Sequence, residues 1–239
     1  VNTEISEIGG IYVEIVRKQI KNLHIGCYPP EGRVRVAAPE HVSADAIRLA
    51  VLRRMPWIRR KQAQFLGQER QPPRRYVSGE THFLFGRAMR LEVRYWGKKS
   101  HRITRQGNDR LQLDAPVGSS SNQSQLWMEA WLKRELRKLA AQRIPIWSAR
   151  MDVSPKKWGI RPMRTKWGSC NPAKGIIWLN SELAKKPKRM IDYVIVHELA
   201  HLISPKHDRL FAAVLDRELP TWRSIRQELN SLPLAAWED

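Results

Sequence analysis

Apolar and polar residues alternate from Tyr12 to Val16, again at Leu23, Ile25 and Cys27, and again at Val34 and Val36. A period of two is the signature of half-buried strands. With the Pro29-Pro30-Glu31-Gly32 turn between the last two segments, it predicts an antiparallel meander. Ala38-Pro39 closes that set, and Ser43 is placed to cap a helix from Ala44 to Arg54. Pro56 suits the first turn of a second helical piece, which turns Trp57, Ile58 and Phe65 inward and Arg53, Arg54, Arg59, Arg60 and Lys61 outward. Pro72-Pro73 marks a break. His82 to Phe85 and Met89 to Tyr95 then read as strands bent near Gly86, with further strands at Ile103 and at Leu111 and Leu113 around Gly107-Asn108. A helix is expected from about Gln125 to Arg143, and Ile144 to Trp158 runs on to a proline-marked loop at Ser154-Pro155.

Within this pattern lies an echo. Val34-x-Val36-x-Ala38-Pro39 before a basic, Trp-containing helix resembles Leu111-x-Leu113-x-Ala115-Pro116 before another, the mark of a duplicated strand–helix unit. The polar, Ser-rich run from Gly118 to Ser124 has no apolar period and is the expected boundary, dividing the chain into residues 1–117 and 118–239. Beyond it, Arg164 to Ser169 and Gly175 to Leu179 are short extended pieces joined by Asn171-Pro172-Ala173-Lys174, as in a hairpin. Asn180 or Ser181 caps a short helix, and Pro187 opens the next.

That next helix carries the chemistry. Ile191, Val194, Ile195, Val196, Leu199, Ala200, Leu202 and Ile203 are apolar on nearly every face, so the segment is buried. Into it are set His197, Glu198 and His201. Residues four apart on a helix lie one above the other, so the two imidazoles converge on one ion with Glu198 beside it. Pro205 ends the helix, and His207 folds back as a third ligand. Three nitrogens with a fourth position left to water is the arrangement of a catalytic zinc site, whereas a structural site closes all four positions. The spacing of the three histidines equals that of the metzincins, but Ser204 stands where those have Gly and no Met follows His207, so the Met-turn of that group is missing.

The 43 Lys+Arg against 23 Asp+Glu give a formal charge of +20, a field that attracts polyanions. Nucleic acid, nucleotides and acidic proteins are therefore expected classes of partner. Cys27 and Cys170 lie far apart and form no disulfide framework. No apolar run approaches the length of a membrane span, and Val1 to Gly10 lacks the basic start and apolar core of a signal peptide. A soluble, cytoplasmic protein with free thiols is the expectation.

Three stretches together resemble a known family: Arg164-Thr165-Lys166-Trp167-Gly168-Ser169-Cys170, Ile191 to Leu202, and His207-Asp208-Arg209-Leu210-Phe211. They are similar to the YgjP-like predicted metal-dependent hydrolases, zincin-like proteins related to the SprT group. The early strands, Trp57-Ile58 and Leu219-Pro220-Thr221-Trp222-Arg223 also fit. The resemblance implies Zn2+ on His197, His201 and His207, with Glu198 as catalytic acid/base, and it has Arg where this chain has Lys166. The resulting expectation is an α+β protein, with an N-terminal antiparallel β-rich portion bearing basic helices and a C-terminal zincin-like metallopeptidase portion. In zincin-type hydrolases a strand beside the metal pairs its free edge with an extended peptide, which directs attention to the hairpin upstream of His197.

The chemistry expected of this set is peptide hydrolysis by zinc-activated water, with Glu198 moving the proton. Tyr193, one turn before His197, and Lys166 and Arg164 are candidate contacts to the transition state or substrate. An alternative keeps the metal and replaces the peptide by a nucleotide phosphoanhydride, motivated by five Lys/Arg and no acid between Val153 and Lys166. A third makes the protein chiefly a nucleic-acid binder through Arg48 to Arg75, where nine Lys/Arg surround Trp57 and Phe65.

Overall fold

The computed structural model describes residues 3–28, 31–67 and 74–232. The Pro29-Pro30 part of the first turn and the Pro72-Pro73 break lie outside the described residues. The chain forms two compact units, one within Val1–Gln71 and one within Pro72–Ser231.

The first unit contains β1 (Thr3–Ile8), β2 (Ile11–Lys18), β3 (His24–Tyr28), β4 (Arg33–Pro39) and α1 (Ala44–Leu66). Its sheet has the order β1-β2-β4-β3. β1 is antiparallel to β2 and β3 antiparallel to β4, but β4 runs parallel to β2. The expected antiparallel meander is therefore corrected to a mixed sheet. Val34, Val36 and Ala38 of β4 are fully buried, and so apolar a strand takes a central position with partners on both edges. The sheet's inner face packs on Ile47, Val51 and Ile58 of α1. Ser43 caps that helix, its hydroxyl accepting from Ala46 N at 3.2 Å. Pro56 lies inside α1 rather than starting a new piece. A proline there forfeits a backbone hydrogen bond at a cost of about 3 kcal/mol, which is offset by Ile58 and the residues packed beyond it, each buried aliphatic side chain contributing about 1.5–3 kcal/mol.

The second unit begins with β5 (Thr81–Leu84), β6 (Arg87–Trp96), β7 (Arg102–Gln106), β8 (Arg110–Pro116) and α2 (Ser121–Met151). The strand order β5-β6-β8-β7 and the sense of every pairing repeat those of the first unit. The sequence echo thus belongs to a whole repeated ββββα unit. Ser120 caps α2 in a reciprocal box with Gln123, so this helix starts before Gln125 and continues through Pro145. The Gly118–Ser124 run falls inside the second compact unit, where its serines turn the chain out of β8 and into the helix.

The β5–β6 hairpin turns at Phe85-Gly86, both at positive φ (51° and 81°), as a two-residue hairpin of this hand requires. Its tip is stapled to the segment that precedes the histidine helix: Phe85 N donates to Ala184 O at 2.8 Å and Gly86 N to Lys185 O at 3.3 Å. A Cβ on Gly86 would approach the backbone and ring of Pro187 to 2.7–3.0 Å. Gly86→Ala is accordingly expected to cost about 2 kcal/mol, lowering Tm by roughly 4–8 °C in a thermal melt.

A third sheet, ordered β10-β11-β9, follows from β9 (Lys157–Arg161), β10 (Gly168–Asn171) and β11 (Ile176–Asn180). β10 and β11 form the expected hairpin, although Arg164 to Trp167 is a loop and only Gly168 onward pairs. β9, parallel to β11, covers the hairpin's other side and leaves β10 as an edge. A 3₁₀ turn (Ser181–Lys185) leads into α3 (Lys188–Ile203), α4 (Arg209–Glu218) and α5 (Trp222–Ser231). α2 is tied to α3 by Trp147 Nε1 donating to Asp192 Oδ1 at 3.1 Å and to α4 by the Arg150–Glu218 ion pair at 2.7 Å. The architecture is mixed α+β, and among the described residues no helix is long and apolar enough to cross a membrane.

Candidate metal centre

α3 is buried along most of its length: Met190, Ile191, Tyr193 to Val196 and Glu198 to Ala200 are all inside. His197 and His201 are half-buried on the remaining stripe, and the chain reverses after Ser204 to bring exposed His207 against them. One nitrogen from each of the three rings lies within 4.8 Å of the others. His197 Nε2 and His207 Nε2 are 3.2 Å apart. Two nitrogens on a tetrahedral zinc with bonds of 2.0–2.1 Å lie about 3.3 Å apart, so the spacing of this pair fits such an ion. Burial, with His201 and His207 close by and Arg226 behind, drives His197 down to about 3. The ring therefore stays neutral with a lone pair to offer.

The reversal is built by Ser204 and Asp208. Ser204 is buried, and its hydroxyl reaches Asp208 Oδ1 at 2.9 Å and Lys206 O at 3.1 Å. The same carboxylate oxygen accepts from Phe211 N at 2.9 Å and so caps α4. This places the Phe211 ring against all three imidazoles, at centroid distances of 5.0, 4.8 and 4.7 Å. Ser204 O lies 3.3 Å from His201 Nδ1, which directs the other ring nitrogen toward the cluster. Ser204→Ala removes the tie that sets the reversal while leaving α3 and α4 to form. Contacts that orient metal-binding histidines are worth roughly 10–100-fold in metal affinity, and the affinity of the cluster for a divalent metal, measured by competition with a chromophoric chelator, is expected to weaken about tenfold.

Glu198 is buried, its carboxyl pushed up to about 8 by that burial, with Lys166 pulling the other way. Gly168 at the start of edge strand β10 lies directly over it: an added Cβ would sit 2.5 Å from Glu198 Oε1. Tyr193, one turn before His197, meets that ring edge-on at 5.8 Å, and burial lifts its hydroxyl to about 12, so it remains a proton donor. Cys170 is partly buried in β10 and rises to about 11 through burial and the charge of Glu198, which keeps it an unreactive thiol.

Lys166 and Arg164 are exposed on the loop before β10. That loop hangs on Asn180, which is fully buried. Asn180 Nδ2 donates to Met163 O at 2.9 Å and Lys166 O at 2.7 Å, its Oδ1 accepts from Met163 N and Glu182 N, and its own N–H reaches Trp167 O. Lys186, largely buried and lowered to about 8 by that burial, stands over the Trp167 ring at 5.3 Å. The structure thus gathers His197, His201 and His207 into one cluster with Tyr193 against it, sets Glu198, next in sequence to His197, under Gly168, and brings Lys166 near enough to act on Glu198. Sequence reasoning gave no role to Phe211, Asp208, Ser204 or Gly168. The signal for the first two was present, since Asp208 stands at N-cap spacing before Phe211.

Three converging imidazoles on and after a buried helix form a group that could hold a metal ion. Residues 23–232 match the family model "YgjP-like, metallopeptidase domain", and the chain belongs to that family. No curated protein is significantly similar to it. Among solved structures, it is similar to the metallopeptidase zymogen abylysin of Pyrococcus abyssi, with 18% identity over 38% of this chain and 90% of that one and a TM-score of 0.36. It is also similar to the zymogen jannalysin of Methanocaldococcus jannaschii, with 19% identity over 37% and 91% and a TM-score of 0.34.

Proposed function

We propose that the chain is a zinc-dependent peptidase in which His197, His201 and His207 hold the ion and Glu198 is the general base and acid. The observation that carries this reading is the three-nitrogen cluster beside a buried carboxylate, on a helix flanked by a free strand edge. When bound, zinc lowers the pKa of water toward neutrality and polarises the carbonyl under attack. Glu198 accepts a proton from the attacking water at its carboxylate and returns it to the departing amine, a role its raised proton affinity suits. Gly168 and β10 present unpaired backbone groups on which an extended peptide lies as an added strand. Tyr193, whose hydroxyl keeps its proton, and the Lys166 cation are placed to stabilise the oxyanion. Arg164 meets the substrate farther along. The portion 118–239 would then be the zincin-like catalytic portion.

Elemental analysis is expected to find about one zinc per chain in the wild type and a clear loss in His207→Ala, alongside chelator-sensitive cleavage of a denatured protein. Absence of metal after zinc is supplied and the excess removed would overturn the reading. Release of phosphate or pyrophosphate from a nucleoside triphosphate, with denatured protein left intact, would replace the peptidase by a phosphoanhydride hydrolase.

A further inference from the structure

One difference between the two ββββα units lies where the third strand begins beside the helix. In the second, His101 stacks flat on Trp127, with centroids 4.4 Å apart and planes 9° apart, and Trp131 is buried. The stack joins the residue before edge strand β7 to helix α2. Pairing register locates the equivalent residues in the first unit. His24 faces Ala37 and Arg102 faces Asp114, each at the same interval before the strand-end prolines Pro39 and Pro116, so Leu23 stands where His101 stands. Counted from the caps Ser43 and Ser120, Ala50 takes the place of Trp127 and Arg54 that of Trp131. The stack and the buried indole are both gone, and a cleft of about 410 Å³ opens there, lined by Leu23, His24, Ile25, Ala50, Arg53 and Arg54.

This cleft has the features of a peptide groove. One wall is Leu23, His24 and Ile25, at the start of edge strand β3, which among the described residues pairs with β4 alone. The floor is apolar through Leu23, Ile25 and Ala50. The opposite wall is a helix carrying two exposed arginines, and no carboxylate lines the cleft. Edge strands beside helices receive extended peptides by strand addition, with main-chain hydrogen bonds giving affinity and side-chain pockets giving selectivity. Guanidinium groups select carboxylates, which a single group binds in two-point fashion, and Arg54 lies over the Trp57 ring at 5.9 Å. The geometry points to a second peptide-binding site in the first unit, in which an extended, acidic segment of a protein pairs with β3 and places its carboxylates against Arg53 and Arg54. The site goes beyond the peptidase reading and serves it as an exosite that captures unfolded acidic stretches.

The test is fluorescence anisotropy with a labelled, β-prone heptapeptide carrying two Glu, using the full chain with Glu198→Gln so that the probe survives. Ala50→Trp, which restores the aromatic of the second unit, is expected to weaken binding at least tenfold. Arg53→Gln with Arg54→Gln, both on exposed positions that leave the fold intact, is expected to do the same and to erase the preference over a Gln-substituted peptide. N-methylation of alternate peptide nitrogens is expected to weaken binding through loss of strand pairing. Unchanged affinity in the folded double-Arg variant would overturn the proposal. So would tighter binding of an oligothymidylate than of the acidic peptide at the same arginines. Binding is read without turnover, whereas cleavage of a denatured protein reads the metal centre, so failure of one is distinguishable from failure of the other.

Discussion

Glu198→Gln is expected to lower kcat for peptide hydrolysis by about 10²–10⁴-fold, the usual contribution of a positioned general acid–base, with zinc content unchanged. Glutamine keeps the shape that packs under Gly168 but has no lone pair basic enough to take a proton from water. The carboxylate is not among the three nitrogens of the cluster, so its loss leaves the proposed ligands in place. In the metal-free chain the fold gains as well, because a buried group that prefers its neutral form is replaced by one that is always neutral. Steady-state kinetics with a quenched fluorescent peptide, beside elemental analysis and a thermal melt, reads all three quantities. A variant that retains wild-type kcat would remove Glu198 from the chemistry and leave the histidines as a structural site. A variant that loses both metal and activity would make the carboxylate part of the ion's support.

The histidine cluster was legible because its geometry is written within one helix and one turn. A spacing of four residues on an α-helix places side chains together whatever the rest of the chain does, and Pro205 announced where the helix must stop. The closing of that turn was not legible, because the Ser204–Asp208 hydrogen bond joins two small polar residues of a kind found in any loop. Gly168 was hidden for a different reason: its importance lies in the absence of a Cβ over a carboxylate far along the sequence, which no local pattern records.

The same division between local and non-local information runs through the fold. Alternation identified β2, β3, β4, β6 and β8 because side-chain direction along a strand is local. It did not reveal that β4 slots between β2 and β3, since strand order depends on how much each strand must bury. β9, short and half-charged, acquires its strand geometry from pairing with β11. Pro56 suits the first turn of a helix by propensity, yet it and Pro145 both lie within continuous helices whose buried faces supply more free energy than one lost hydrogen bond removes. The echo between Val34-x-Val36 and Leu111-x-Leu113, only a few residues long, proved the most far-reaching of the sequence patterns, since the two strands it marks are the central strands of two sheets with identical order.

Gly168→Ala is expected to lower kcat by about 10²-fold with zinc retained, an effect second only to that of Glu198. The added methyl would stand 2.5 Å from Glu198 Oε1 and 2.8 Å from its Cγ, well inside contact distance. Glu198 is enclosed by buried neighbours on α3 and cannot swing aside freely, so carboxylate and strand must part by roughly an ångström, a misplacement that costs on the order of 10² in rate. The strand pairing itself survives, because alanine adopts β geometry readily and Gly168 keeps its place opposite Leu179. Proton transfer and peptide binding are thereby separable. If β10 serves only as a scaffold for Glu198, kcat falls and KM is unchanged. If its edge also receives the peptide, KM rises as well, because the displaced strand no longer offers its backbone groups in register. A Gly168→Ala enzyme with wild-type kcat would show that the carboxylate has no need of its close contact with β10, and the assignment of Glu198 as the proton-transfer group would lose its structural basis.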